Sequence, residues 1–244
     1  MKERPILFSG AMVRALLADT KTQTRRVVKP SRRYPFEFVG SGTKADPDWN
    51  DPSCWGFMSD DGDAWLLKDG TKESDVHQIP CPYGQPGDRL YVRETFYAYG
   101  RWETRYSEKK KRDEWHFVDM TLECGHAYAY AADGAPHDFH KSNQRSDRTP
   151  SWWKRPAIHM PRLASRILRE IVSVRVERLN DISQADAVAE GAMVWAQELD
   201  TQIKDLPGED AQFAFLALWE SINGAGSWAA NPWVWVVEFK RVTP

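Results

Sequence analysis

Apolar and polar side chains along this chain follow two periods. Alternation marks strands, and spacings of three and four mark helices. Near the start, Pro5-Ile6-Leu7-Phe8 predicts a short strand. Met12, Val13, Leu16 and Leu17 then fall at helical spacing between Gly10 and Asp19, with Ser9 placed as a cap. Lys21 to Lys29 leads into a strand through Val27 and Val28. The turn Gln85-Pro86-Gly87-Asp88 precedes a strand over Arg89 to Tyr97. Val172, Val174 and Val176 alternate with Ser173, Arg175 and Glu177, the pattern of a half-buried strand. Ser183 with Asp186 three residues on reads as a capping box, and Gly191 as a stop, with a one- to two-turn helix between them. Glu209 to Ile222 predicts an amphipathic helix with Phe215, Leu218, Trp219 and Ile222 on one face. Pro232 to Lys240 predicts a last strand, partly buried on both faces.

Between these segments the pattern breaks down. Residues 30 to 88 are rich in Pro and Gly, and only Trp55–Met58 and Ala64–Lys68, around Asp60-Asp61-Gly62, read as a hairpin. Residues 98 to 156 are irregular: His126 to Ala131 alternates well enough for a strand, while Asp133 to Thr149 is polar and reads as mobile. The order strand, helix, strands, two helices, strand predicts an α+β fold with a small β-barrel core. That core covers about 5–30, 86–97 and 157–242, and insertions cover about 31–85 and 98–156. A length of 244 residues suits one such domain. No apolar run approaches the roughly 18 residues of a membrane-spanning helix, and no leader peptide is visible, so the expectation is a cytoplasmic protein with no membrane partner.

Charge changes this picture more than composition does. The 33 basic and 35 acidic residues nearly cancel to −2, but they are segregated. Thr20 to Phe36 holds six basic residues and no acid, Lys141 to Arg169 eight against Asp147, and Arg101 to Arg112 six against Glu103 and Glu108. Acids gather over Asp46–Asp63 and Asp181–Asp210. The chain has 12 Trp, and Trp102, Trp115, Trp152 and Trp153 lie among the basic segments. Such interleaving suits phosphate contact with base stacking. A solvated, mixed-charge surface is the competing reading.

No Gly-rich phosphate loop, dinucleotide fingerprint, paired CxxC or Gly-x-Ser-x-Gly elbow is present. Three cysteines make a disulfide framework improbable. His77 with Cys81, and Cys124 with His126, match no common zinc spacing, and Cys54 stands alone, so no metal and no cofactor are expected. The densest reactive cluster is Lys21-Thr22-Gln23-Thr24-Arg25-Arg26. A lysine beside two arginines in a partly desolvated pocket has a lowered pKa, and a neutral amine can take a proton from a hydroxyl. The bland alternative is that these cations simply meet phosphate or solvent.

The segments Pro5-Ile-Leu-Phe-Ser, Lys21-Thr-Gln-Thr-Arg-Arg, Pro86-Gly-Asp-Arg-Leu-Tyr-Val-Arg-Glu, Ala187-Val-Ala-Glu-Gly and Asn231-Pro-Trp-Val-Trp-Val-Val-Glu-Phe together resemble the ASCH domain. The likeness is greatest to its long, tryptophan-rich bacteriophage and prophage form. The resemblance runs over nearly the whole chain. It implies a PUA-like fold, a small β-barrel with flanking helices. It also implies an amidohydrolase that removes the acyl group of a modified base such as N4-acetylcytidine through a Lys-Thr-Glu triad. By residue match that triad is Lys21, Thr24 and Glu190. The chain departs from the small enzymes in its two insertions and in Arg25, which stands where they carry an apolar residue.

On that reading Thr24 is the nucleophile, Lys21 its base, and Glu190 the orienting or proton-donating group. Arg25, Arg26, Arg93, Glu94, His159, Trp152 and Trp153 are candidates for substrate binding, with Tyr91 and Trp228 as further stacking rings. The partner is then a modified nucleoside or a single-stranded nucleic acid. The sequence leaves open a non-catalytic RNA- or DNA-binding module, a metal-independent ribonuclease, and a phage protein that binds a host factor through its acidic 181–210 segment.

Overall fold

The computed structural model describes residues 1–29, 37–39, 56–58, 65–66, 81–141, 150–198 and 210–242. They form a mixed α+β structure with twelve strands and four helices among the described residues. The strands are β1 (Glu3–Leu7), β2 (Gln23–Val27), β3 (Glu37–Val39), β4 (Gly56–Met58), β5 (Trp65–Leu66), β6 (Arg89–Arg93), β7 (Phe96–Ser107), β8 (Arg112–Asp119), β9 (Ala129–Tyr130), β10 (Ser151–Arg155), β11 (Leu168–Arg178) and β12 (Trp233–Arg241). The helices are α1 (Gly10–Leu17), α2 (Gln184–Ala189), α3 (Ala192–Gln197) and α4 (Ala211–Asn223).

Three sheets result. One is an open path in the order β1-β6-β11-β12-β2, the second runs β10-β7-β8 with β9 also on β7, and the third is β3-β4-β5. The last contains the hairpin foreseen near Trp55, since Phe57 and Met58 pair with Leu66 and Trp65. Its turn at Asp60-Asp61-Gly62, the rest of insertion 31–85 up to residue 80, and residues 142–149 of the polar stretch lie outside the described residues.

The chain divides into two compact units. The first comprises Met1–Arg4, Ala15–Leu90 and Arg169–Pro244. Its core strand is β12, where Val234 to Val237 are all buried, so both faces are covered. Burial on both faces is what the sequence pattern of this strand led one to expect. β12 pairs antiparallel with β11 and β2, with Val237 opposite Val174 and Thr24, and Val236 opposite Arg175 and Arg25. Helix α2 starts with the expected capping box: Ser183 accepts from the Asp186 N–H, and the Asp186 carboxylate accepts from the Ser183 N–H. Gly191 ends it at φ 76°. A Cβ there would lie 3.1 Å from that of Ala15 and 3.4 Å from that of Lys21, so both backbone and space favour glycine. Phe215, Leu218 and Trp219 of α4 are buried as expected, but Ile222, one turn beyond, is exposed.

The second unit comprises Pro5–Arg14 and Tyr91–Leu168. The strand expected over Arg89–Tyr97 ends at Arg93, and a new strand, β7, starts at Phe96. β7 and β8 form a long hairpin across the first part of the stretch that read as irregular. Only Ala129–Tyr130 of the expected His126–Ala131 strand is a strand. Along β7, Phe96, Ala98 and Trp102 turn inward, and Trp102 packs edge-on against Phe117 and Trp153. Gly100 lies where β7 passes closest to β8: a Cβ there would lie 2.1 Å from the Val118 carbonyl oxygen.

Candidate functional site

The site is built within the first unit, on one face of the β11-β12-β2 part of the sheet and on α2. Cross-strand register aligns Ser173, Glu238 and Gln23 in one row, and Arg175, Val236 and Arg25 in the next. The strand pleat puts both rows on one face. Residues Asp186 and Glu190, four apart on α2 and its C-cap, share one side of that helix. Charged groups from sheet and helix then meet with little water.

Lys21 and Glu190 are both buried, and Lys21 Nζ donates to Glu190 Oε2 at 2.8 Å and to the Glu190 carbonyl oxygen at 2.6 Å. Arg25 donates to the other Glu190 oxygen at 3.3 Å and to Glu177 at 2.9 Å, and it lies 3.3 Å from Asp186. Gln23 donates to Asp186 at 3.0 Å and to the Asp186 carbonyl at 2.9 Å. Arg175 extends the network to Glu177, Asp186 and Glu238. The cost of burying so many charges is met only because each is paired and hydrogen-bonded.

These surroundings lower three pKa values, each through a different balance of causes. Burial lowers that of Lys21, Glu190 opposes the shift, and the positive charges of Arg26 and Arg25 lower it further. Burial also lowers that of Arg26, against the pull of Tyr83 and Glu190. For Asp186 burial acts upward, but hydrogen bonds from Gln23 and Ser183 and the charges of Arg25 and Arg175 outweigh it, and its pKa falls to about 2.

The structure thus brings Lys21, Arg25 and Glu190 together. Thr24 is buried, its Oγ1 has no hydrogen-bond partner, and its register partner is Val237. By the pleat Thr24 leaves β2 on the side shared with Arg26, opposite Gln23 and Arg25. Lys21 precedes the strand and feels the charges of both Arg25 and Arg26.

Of the remaining candidates, Trp228 lies in the first unit, edge-on to Phe215, and the others lie in the second unit. The Glu94 carboxylate, a candidate for substrate binding, is tied to Arg166 through both oxygens, at 2.9 and 3.2 Å. Burial raises its pKa, and Arg166 opposes that shift. Trp153 is fully buried and its indole N–H donates to the Gly100 carbonyl, so its ring is core packing and not a stacking surface. Trp152 is half-buried. Arg93 lies over the Tyr91 ring and donates to the Ile158 carbonyl, and His159 is exposed on a short 3-10 turn. Burial pushes the Cys81 thiol up to about 11, and Cys124 is an exposed free thiol. Cys54 and His77 lie outside the described residues.

The sequence reading missed Glu177, Arg175, Asp186 and Gln23 as members of this network. A signal was there: Arg175 and Glu177 are the polar partners of the Val172–Val176 alternation, and Asp186 stands one helical turn before Glu190.

The fold and site define an α+β protein with a buried lysine–carboxylate–arginine constellation at a helix C-terminus. No family model, no curated protein and no solved structure matches the chain. No described helix is long and apolar enough to cross a membrane.

Proposed function

We propose that the protein is an ASCH-type amidohydrolase with a PUA-like barrel core, removing the acyl group from an N-acylated base such as N4-acetylcytidine. The observation that carries this reading is the buried Lys21–Glu190 pair, with the unpartnered Thr24 hydroxyl three residues from the lysine. A buried hydroxyl without a partner is costly and tends to persist where a substrate completes it.

In the reaction the Thr24 oxygen attacks the acyl carbon while neutral Lys21 takes its proton. The C–N bond breaks as that proton passes to the leaving exocyclic amine. Water, deprotonated by the same lysine, then attacks the threonine ester; the acyl C–O bond breaks, Lys21 returns its proton to the Thr24 oxygen, and the acid leaves as carboxylate with its proton lost to solvent. Glu190, fixed by Arg25, orients the amine. The pairing of Thr24 with Lys21 forms on substrate binding, as catalytic hydrogen bonds often do.

The test is acetate release from N4-acetylcytidine. Thr24→Val keeps volume and loses the hydroxyl, so it is expected to abolish release with folding intact, and Glu190→Gln to lower it at least a hundredfold. Full activity in Thr24→Val overturns the nucleophile. A second reading, a module that binds without turnover, is favoured by both Glu190 oxygens being engaged already. It predicts no release from any acylated nucleoside.

A further inference from the structure

The second unit carries a sheet face of which the hydrolase reading draws on Trp152 alone. Along β7, Tyr99, Arg101, Glu103 and Arg105 alternate with the inward Ala98, Gly100 and Trp102. Across the hairpin, Arg101 faces Val118, Glu103 faces His116, and Arg105 faces Glu114. On the other side, Trp152 of β10 is the register partner of Tyr99. The face is therefore aromatic at one end and basic along the rest, over about 20 Å from Tyr99 to Arg105.

The aromatic end is a cluster of three rings. Tyr99 and Trp152 lie 5.8 Å apart edge-to-face, and His126 packs on both, at 4.5 and 5.4 Å. His126 is exposed and the other two are half-buried, unlike Trp102 and Trp153 on the opposite face. The basic part contains Arg101, Arg105 and Arg112, with Lys109, Lys110 and Lys111 at the hairpin tip, against Glu103, Glu108 and Glu114. Each of those acids holds an ion pair, but the cations remain half or more exposed: 50% for Arg101, 60% for Arg105 and 68% for Arg112. Exposed pairs are worth little, so a phosphate can take them over.

We infer that this face binds a single-stranded nucleic acid, with bases on the Tyr99–Trp152–His126 rings and phosphates on Arg101, Arg105 and Arg112. Charge complementarity selects a polyanion, and aromatic rings at one end select bases that are free to leave a stack. A duplex hides its base faces and is a poor match. The face lies wholly within the second unit and requires no acylated base, so it stands or falls separately from the hydrolase.

The experiment is fluorescence anisotropy with labelled oligouridylate and oligothymidylate of about ten nucleotides, and with duplex DNA of the same length. Affinity for the single strands is expected to fall about fifteenfold between about 50 and about 200 mM KCl, the slope of three phosphate contacts. Arg101→Glu with Arg105→Glu should flatten that slope by about one unit or more. Trp152→Leu should weaken binding about tenfold without changing the slope, and His126→Ala, at an exposed position, should weaken it in the same sense. A preference for uridylate identifies RNA as the strand, and equal binding identifies the chemistry the two share. Unchanged affinity in the folded arginine pair or in both ring variants overturns the inference, as does duplex bound as tightly as single strand.

Discussion

Arg25 is a buried link between carboxylates of the sheet and of the helix. It stands between three carboxylates and takes one oxygen of Glu190, so the carboxylate that holds Lys21 is itself held. Thr24, one position away, is the opposite case, with no hydrogen-bond partner for its hydroxyl. Thr24→Val therefore removes a desolvated polar group and no hydrogen bond. Its melting temperature is expected to equal or exceed that of the wild type, with a gain of up to about 1 kcal/mol; a clear loss would mean that the hydroxyl is satisfied in solution. The Lys-Thr-x-Thr spacing was readable in the sequence. The sides of the strand were not, because pairing with β12, more than two hundred residues away, is what fixes them.

At the scale of elements, the junction of α2 and α3 positions the site. Gly191 adopts positive φ and leaves little room for a Cβ between Ala15 and Lys21. Gly191→Ala is expected to cost about 1–2 kcal/mol, lowering the melting temperature by several degrees, and to reduce acetate release by displacing Glu190. Thermal melts of the variant check the first outcome and the nucleoside assay the second. The capping box, the stop at Gly191 and the Val172–Val176 strand were legible because each rests on neighbours in sequence. The β7–β8 hairpin was not. Its far half is exposed on both faces, so Thr104, Arg105 and Tyr106 give no period-two signal. The Trp102–Trp153 packing that anchors its near half joins residues fifty apart.

For the whole molecule, the near-zero charge acquires a structural meaning. The basic segment at Thr20 read as a patch for phosphate, yet Lys21 and Arg25 point inward and meet Asp186 and Glu190 from the acidic 181–210 segment. Part of the cancellation in the net charge is thus a contact inside the first unit. Its mark on stability is pH-dependent. The folded pKa of Asp186 lies below its ordinary value, so its contribution is complete above about 4 and is lost as pH falls through about 2. Asp186→Asn is expected to melt earlier than the wild type at pH 7, with the gap closing as pH approaches 2. A gap that stays constant across that range, followed by circular dichroism, would assign the loss to packing alone.

The two hydrogen bonds from Lys21 Nζ to the side chain and the carbonyl of a single residue, Glu190, carry one more consequence. An ammonium has three N–H bonds and a neutral amine has two. Glu190 offers two acceptors, so Lys21 can release a proton and keep both contacts. The two contacts to Glu190 are thus compatible with either protonation state of the amine, while the negative charge of Glu190 favours the protonated one.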